Sequence, residues 1–448
     1  MDLKKSIRIQ GDQVKSLYRL FEGSVYDYDG TYTLVKKVLK IIGVPMNLKD
    51  SRFTHFCWNA YFWFSYINIV VSFVLESASV LETSASGTFL DVFTMMPCVG
   101  FLIVALTKTY KIKIHRATFK NLVYELRDMW PNGHIPEEEH QVVNQALRRL
   151  KFLVRAYFSC NMILGTIFVI PALYAYIKRL LGYDVALIMP FSYWLPFDPL
   201  SDIRYPFVMI VISYHCFQSA FFMVAGDLLL IIFLSHVTTQ FSLLAIRINK
   251  LFYVPIDEQL IGEYPLGEVS MKIQLHQDKE NDPSLVDNED TEKRIEDELI
   301  SIILRHQALI RISDEIENMY TFSLLVNFMN SSVIICFCLF CIAFFEKWNE
   351  FNYKVFFITA ISQTGILCWY GQLLKDTSTG VAEALYNCGW YVAAHNVKKS
   401  ILIMIHRSQK EVHITTYGFT IISLESYATI LKTSWSYFTL LINVMYQD

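Results

Sequence analysis

Residues 206–234 read PFVMIVISYHCFQSAFFMVAGDLLLIIFL, and the only formal charge in that run is Asp227. A helix needs about 20 apolar residues to cross a hydrocarbon core ~30 Å thick. The run is long enough, so it reads as a membrane span. Six more stretches satisfy the same length rule, near 53–75, 88–107, 152–177, 322–345, 354–374 and 419–445, the last being the least apolar. Between and beyond them the composition changes abruptly. The chain is 53% hydrophobic and only 18% charged, with a mean hydropathy of +0.33, whereas soluble domains carry about 25% charge. The expected fold class is therefore all-α, with seven transmembrane helices. The opening residues MDLKKSIRIQGDQ contain no apolar segment of the signal-peptide kind, so the first span is expected to act as its own insertion signal.

Lysine and arginine set the orientation. Segments 1–52, 108–151, 235–321 and 375–418 hold 32 of the 39 basic residues, and the alternate segments hold 4. Basic loops stay cytosolic, so the N-terminus is expected inside and the C-terminus outside. That orientation is inverted relative to G-protein-coupled receptors, which argues against a seven-helix receptor signalling through a G protein. A transporter is disfavoured because there is no internal repeat and no pair of broken helices.

The domain plan follows: a cytosolic N-terminal segment 1–52, spans one to four within 53–234, and a cytosolic region 235–321. Spans five and six occupy 322–374, another cytosolic segment 375–418, and the seventh span lies within 419–448. Helical spacing continues past the bilayer through Val237, Phe241, Leu244, Ile248 and Leu251. It also precedes span five, through Ile295, Leu299, Ile302, Ile303, Leu309, Ile310 and Ile316. These faces imply packing below the membrane, either within one chain or between subunits. Residues 276–298 carry thirteen charges and little to bury, so they read as a solvated, disordered insert whose last turn, from about 294, starts the next helix.

No constellation points to catalysis: neither a metal-ligating His/Glu motif nor a phosphate loop nor a nucleophile elbow is present. The close set Cys336, Cys338 and Cys341 lies in an apolar helix without His or acidic neighbours and reads as packing. Eight of the nine cysteines fall in spans, leaving Cys388 on the cytosolic side. Asp227 is a candidate for a polar contact between helices. His55 and His215 read as packed or hydrogen-bonded, and the Asn330-Ser331-Ser332 sequon lies inside span five. Neither a cofactor nor a nucleic-acid partner is expected.

Two faces can carry function. On span seven, Glu425, Thr429, Lys432, Ser436 and Asn443 recur at helical spacing with Leu440 between, and Val444 lies beside them. Such a face must meet protein or water. It is either a buried seam between helices or the lining of an ion path shared among subunits, with Leu440 and Val444 as its constriction. Spans two, three, four and six supply aromatic, sulfur and small polar groups in their outer halves: Phe89, Phe93 and Met96; Thr166, Ile170 and Tyr174; Met209, Ser213 and Phe217; Phe357 and Ile361. These can line a pocket for a small volatile molecule or can be ordinary core.

From span four onward the chain resembles the insect odorant receptor family. The resemblance rests on Asp227-Leu228-Leu229, Ser235-His236, Gln240 through Leu244, Arg305-His306-Gln307 with Ile310, and Tyr370-Gly371-Gln372. It continues through Ala384-Leu385-Tyr386-Asn387-Cys388-Gly389-Trp390-Tyr391 and the C-terminal run Phe419, Ser423-Leu424 and Ile430 to Leu441. The resemblance implies a ligand-gated, non-selective cation channel, tetrameric around the seventh helix, with a cytosolic helical anchor domain. It implies an odorant pocket among spans two, three, four and six, and a constriction at Leu440, Asn443 and Val444 with Ser436 lining the path. It further implies a ligand-tuning subunit that pairs with the odorant co-receptor in a hetero-tetramer, in the plasma membrane of a sensory dendrite. A gustatory-type relative is the alternative, although the C-terminal run fits the odorant branch better.

Overall fold

The computed structural model describes residues 27–46, 52–86, 89–131, 135–252, 288–344 and 348–445. Most of the acidic insert 276–298 and most of the N-terminal segment lie outside them. Among the described residues the chain is helical apart from turns, loops and one isolated antiparallel bridge, Thr415 to Ile421. Two short N-terminal helices, α1 (Tyr28–Thr31) and α2 (Thr33–Ile41), precede α3 (Arg52–Ser86), α4 (Phe89–Ile114) and α5 (Arg116–Asp128). Then come α6 (Glu137–Leu180), α7 (Tyr205–Asn249), α8 (Asn288–Phe344), α9 (Trp348–Asn387), α10 (His395–Ser408) and α11 (Leu424–Met445).

Seven of these helices run to 22 residues or more: α3, α4, α6, α7, α8, α9 and α11. Five are long and apolar enough to cross a membrane by length and composition alone, namely α3, α4, α6, α7 and α8. The first six expected apolar stretches coincide with long helices that overrun them. The fifth span is the end of a 57-residue helix, ~86 Å long at 1.5 Å per residue. It starts at Asn288, six residues ahead of the start expected near 294. The last helix starts at Leu424, not near 419. Phe419–Ser423 instead returns through a tight loop, in which Tyr417 and Gly418 take left-handed φ of 56° and 77°.

The run 206–234 turns out to be the middle of the bundle. Residues 222–241 of α7 are buried without interruption, so this part of the helix is apolar all round because protein surrounds it. Large apolar side chains are exposed instead on α3, at Phe53, Phe56, Phe64, Ile67 and Leu81. The expected cytosolic faces are buried as spaced: Val237, Phe241, Leu244 and Ile248 on α7, and Leu299, Ile302, Leu309 and Ile316 on α8. At this basic end, α1 and α2 dock on α7. The Tyr28 hydroxyl donates to the Val123 carbonyl at 2.8 Å, and the Tyr28 ring lies 4.6 Å from the His236 ring.

Glycine matters at one crossing. A Cβ on Gly371 would lie 2.3 Å from the Ile422 carbonyl oxygen, so α9 can meet the 419–423 loop only without a side chain there.

A cavity, a polar hub and an exposed ridge

In α3, residues Ser65, Ser72, Glu76 and Ser79 recur at steps of seven, four and three, and all are buried. This stripe faces the bundle, and its Ser72 and Glu76 open on a cavity. The other walls come from α4 (Cys98, Phe101), α6 (Asn161, Leu164, Phe168), α7 (His215, Cys216) and α9 (Phe356). The loop joining α6 to α7 closes the cavity. Its Trp194 amide donates to the Leu75 carbonyl at 3.1 Å, which pins the loop to α3. The Phe191 ring then stacks on Phe168 at 5.2 Å. The Tyr193 hydroxyl sits 2.5 Å from Ser72 Oγ and 3.1 Å from His215 Nδ1.

The cavity is aromatic and largely apolar, the composition of a small-molecule site. Two of its polar atoms have no protein partner: Glu76 Oε2 and Asn161 Oδ1. Above it lies an open groove that shares Glu76, Cys98, Phe168 and Phe191 with the cavity. Those four residues form the neck between outside and inside.

On the floor side, Asn161 Nδ2 donates to the Tyr157 carbonyl at 2.9 Å. Tyr157 belongs to a second buried polar group. Its hydroxyl donates to Asp227 Oδ2 at 2.6 Å, Lys108 Nζ donates to Asp227 Oδ1 at 2.6 Å, and Gln363 Nε2 donates to Asp227 Oδ2 at 2.9 Å. Asn327 Oδ1 accepts from Lys108 at 3.1 Å and from Gln363 at 3.2 Å. One hub thus ties together α4, α6, α7, α8 and α9. Asp227 does make the interhelical contact expected of it, and its partner is a lysine that the charge count had placed in a cytosolic segment.

The third feature is on α11. Glu425, Thr429, Lys432, Ser436, Leu440 and Asn443 are all exposed on the protomer. The opposite face, with Ser426, Ile430 and Ser434, is buried. The Tyr427 hydroxyl donates to the Ile361 carbonyl at 3.3 Å, fixing α11 to α9. The side chain of Val444 lies outside the described residues.

The chain matches the family model described as 7tm Odorant receptor over residues 88–435. It belongs to the odorant receptor family. This is a family of sensory receptors and not of enzymes. Among curated relatives, Odorant receptor 85b of Drosophila melanogaster is 24% identical over 398 residues, covering 88% of this chain and 93% of that one. Odorant receptor 67c of the same species is 26% identical, covering 77% and 78%. Odorant receptor 13a is 31% identical over 58% of each. Among solved structures, the insect olfactory receptor OR5 from Machilis hrabei in complex with eugenol superposes with a TM-score of 0.73. It is 13% identical, covering 93% of this chain and all of that one. The fold of this odorant receptor chain is therefore shared with that structure.

The eleven pocket residues expected from the spans are scattered in this receptor. Phe93 is buried against Phe337 and Phe340, at 5.1 and 4.6 Å. Met209 packs with Tyr205, Ala172 and Leu187 in a small separate cluster. Ile170 and Tyr174 line the outer groove, and Thr166 is exposed with its hydroxyl turned back to the Met162 carbonyl. Met96, Ser213, Phe217, Phe357 and Ile361 are half-buried, and the side chain of Phe89 lies outside the described residues. The cavity takes other members of the same helices, together with α3 and the loop.

Glu76 and Tyr193 were missed for identifiable reasons. Ending the first span at residue 75 put Glu76 in a loop, and Tyr193 sits in a segment with no periodicity. The spacing argument applied to span seven, extended along 65–79, reveals the α3 stripe.

Proposed function

We propose that this chain is the ligand-tuning subunit of an odorant-gated, non-selective cation channel in the plasma membrane, assembled with the odorant co-receptor as a hetero-tetramer. The observation that carries the reading is the exposed ridge on α11. A polar face one helix wide, turned away from its own protomer, is stable in a bilayer only against other subunits or water. Four such helices around an axis enclose a path, and Leu440 with Val444 supplies an apolar constriction beside Asn443, below which Ser436 lines the way. The basic ends of the helices lie in the cytosol, where α8, α9 and α10 form the anchor.

The odorant occupies the cavity under the α6–α7 loop. OR5 was solved in complex with eugenol, a small aromatic molecule, and the aromatic, largely apolar lining of this cavity suits a molecule of that kind. Asn161 joins the cavity floor to the hub, and the hub holds α9, to which α11 is bonded through Tyr427. Ligand-induced shifts can reach the pore helix by that route.

The test is current recorded from cells expressing the chain with and without the co-receptor. Odorant-evoked current is expected only with both subunits, and Leu440→Ala is expected to raise leak current or slow closure. Current that persists without the co-receptor, or gating indifferent to residues 440 and 444, rejects the reading.

A further inference from the structure

Glu76 is 6% exposed, and its Oε2 has no hydrogen-bond partner. Among the described residues no lysine, arginine or histidine pairs with it. A carboxyl group left in this state is costly unless something else meets it. Its place is specific: Glu76 lines both the cavity and the groove, at the neck formed with Phe168 and Phe191. A second lone acceptor, Asn161 Oδ1, faces the same space.

We propose that the cavity selects small aromatic or alkyl amines, with the ammonium held at the neck by the Glu76 carboxylate and the apolar body inside. This rests on the cavity being the odorant site. An ammonium supplies the missing counter-charge and up to three donors for a group that has none. Phe168 and Phe191 line the same neck, and aromatic rings there favour a cation further. Alkylamines titrate in the range of lysine, near pH 10, so they are cationic at neutral pH. A neutral alcohol offers one donor and no charge. A charge-assisted contact is about twice as strong as a neutral one, so the carboxylate discriminates between the two.

The experiment compares 2-phenylethylamine with 2-phenylethanol, which share one skeleton. Both are applied to cells expressing the channel, and to purified protein followed by thermal unfolding. The amine is expected to act at a concentration at least about tenfold lower than the alcohol, a factor set by one charge-assisted contact. Glu76→Gln is expected to abolish that preference, bringing amine and alcohol to equal potency, and Glu76→Asp to retain part of it. Equal potency of the two probes, or an amine preference that survives in Glu76→Gln, overturns the proposal. If neither probe evokes current, the unfolding measurement decides. An amine-dependent rise in Tm that is lost in Glu76→Gln upholds the amine site and counts against the channel reading. No such rise rejects the amine site, and current evoked by neutral volatiles then leaves the channel reading standing.

Discussion

Asp227 and Glu76 are both buried in this bundle, and their surroundings are opposites. Asp227 accepts from a lysine, a tyrosine and a glutamine, at 2.6, 2.6 and 2.9 Å. Glu76 has an oxygen that accepts from nothing. One acid is a finished structural joint among five helices, and the other is a polar group waiting on a cavity wall. Burial alone therefore does not separate structure from function in this protein. The partner count does, because an unpaired buried polar group is retained against a free-energy cost.

The largest test of this contrast is Lys108→Ala. Removing one partner of a buried pair strands the other, at a cost of about 3–5 kcal/mol. Thermal unfolding of the purified chain, with cell-surface yield, is expected to show that loss. The double replacement Lys108→Met with Asp227→Leu is expected to recover most of it. A single variant as stable as wild type breaks the reading of the hub.

A different kind of buried titratable group sits at the basic end. His306, on α8 ahead of the apolar stretch, is 4% exposed, lies 3.4 Å from Ser408 Oγ and meets the edge of Phe241. Burial, aided by the Arg407 charge, pushes its pKa from 6.5 down to about 4. A histidine held neutral in the fold and free to protonate when unfolded stabilises above pH 6.5, and that contribution is lost as pH falls towards 4. The loss is on the order of 3 kcal/mol. His306→Gln is expected to flatten this part of the stability profile. An unchanged profile in the variant assigns the acid sensitivity elsewhere.

Tyr157→Phe removes a single donor from Asp227 while the lysine stays, so a smaller cost is expected, about 1.5–3 kcal/mol. A double-mutant cycle with Gln363→Leu measures how strongly the hub members are coupled. The smallest effect, with the opposite sign, belongs to Glu76→Leu. Deleting an unpartnered carboxyl is expected to leave stability unchanged or raise it by up to about 1 kcal/mol. A loss as large as that for Lys108→Ala would erase the distinction between the two acids.

Much of the architecture was legible because lipid imposes a coarse rule: an apolar run of sufficient length is helical and crosses. The amphipathic continuations at Val237–Ile248 and Leu299–Ile316 were readable for the same reason, since a 3.6-residue period survives wherever one face is covered. Boundaries were not. Glu76 and Lys108 lie just past the apolar runs, so a composition rule assigned them to water, whereas the helices carry them into the protein. The α11 helix begins five residues late because the contacts of the 415–421 loop with α8 hold the chain back. There, Glu317 accepts from the Thr415 amide at 3.1 Å, and Thr321 Oγ1 accepts from the Tyr417 amide at 2.6 Å.

Residue order alone does not establish the short helices α1, α2, α5 and α10, but it does establish the long apolar helices and their amphipathic continuations, the helix that carries a polar ridge, and the need of Asp227 for a partner. Each of these follows from local spacing and from the cost of polar groups in an apolar medium. The tertiary structure alone decided that 222–241 is the bundle's centre, that Lys108 answers Asp227, and that Glu76 has no answering group. Those facts depend on which helices become neighbours and in what rotation. Pairing residues more than a hundred positions apart is settled by packing, and no periodicity within one segment records it.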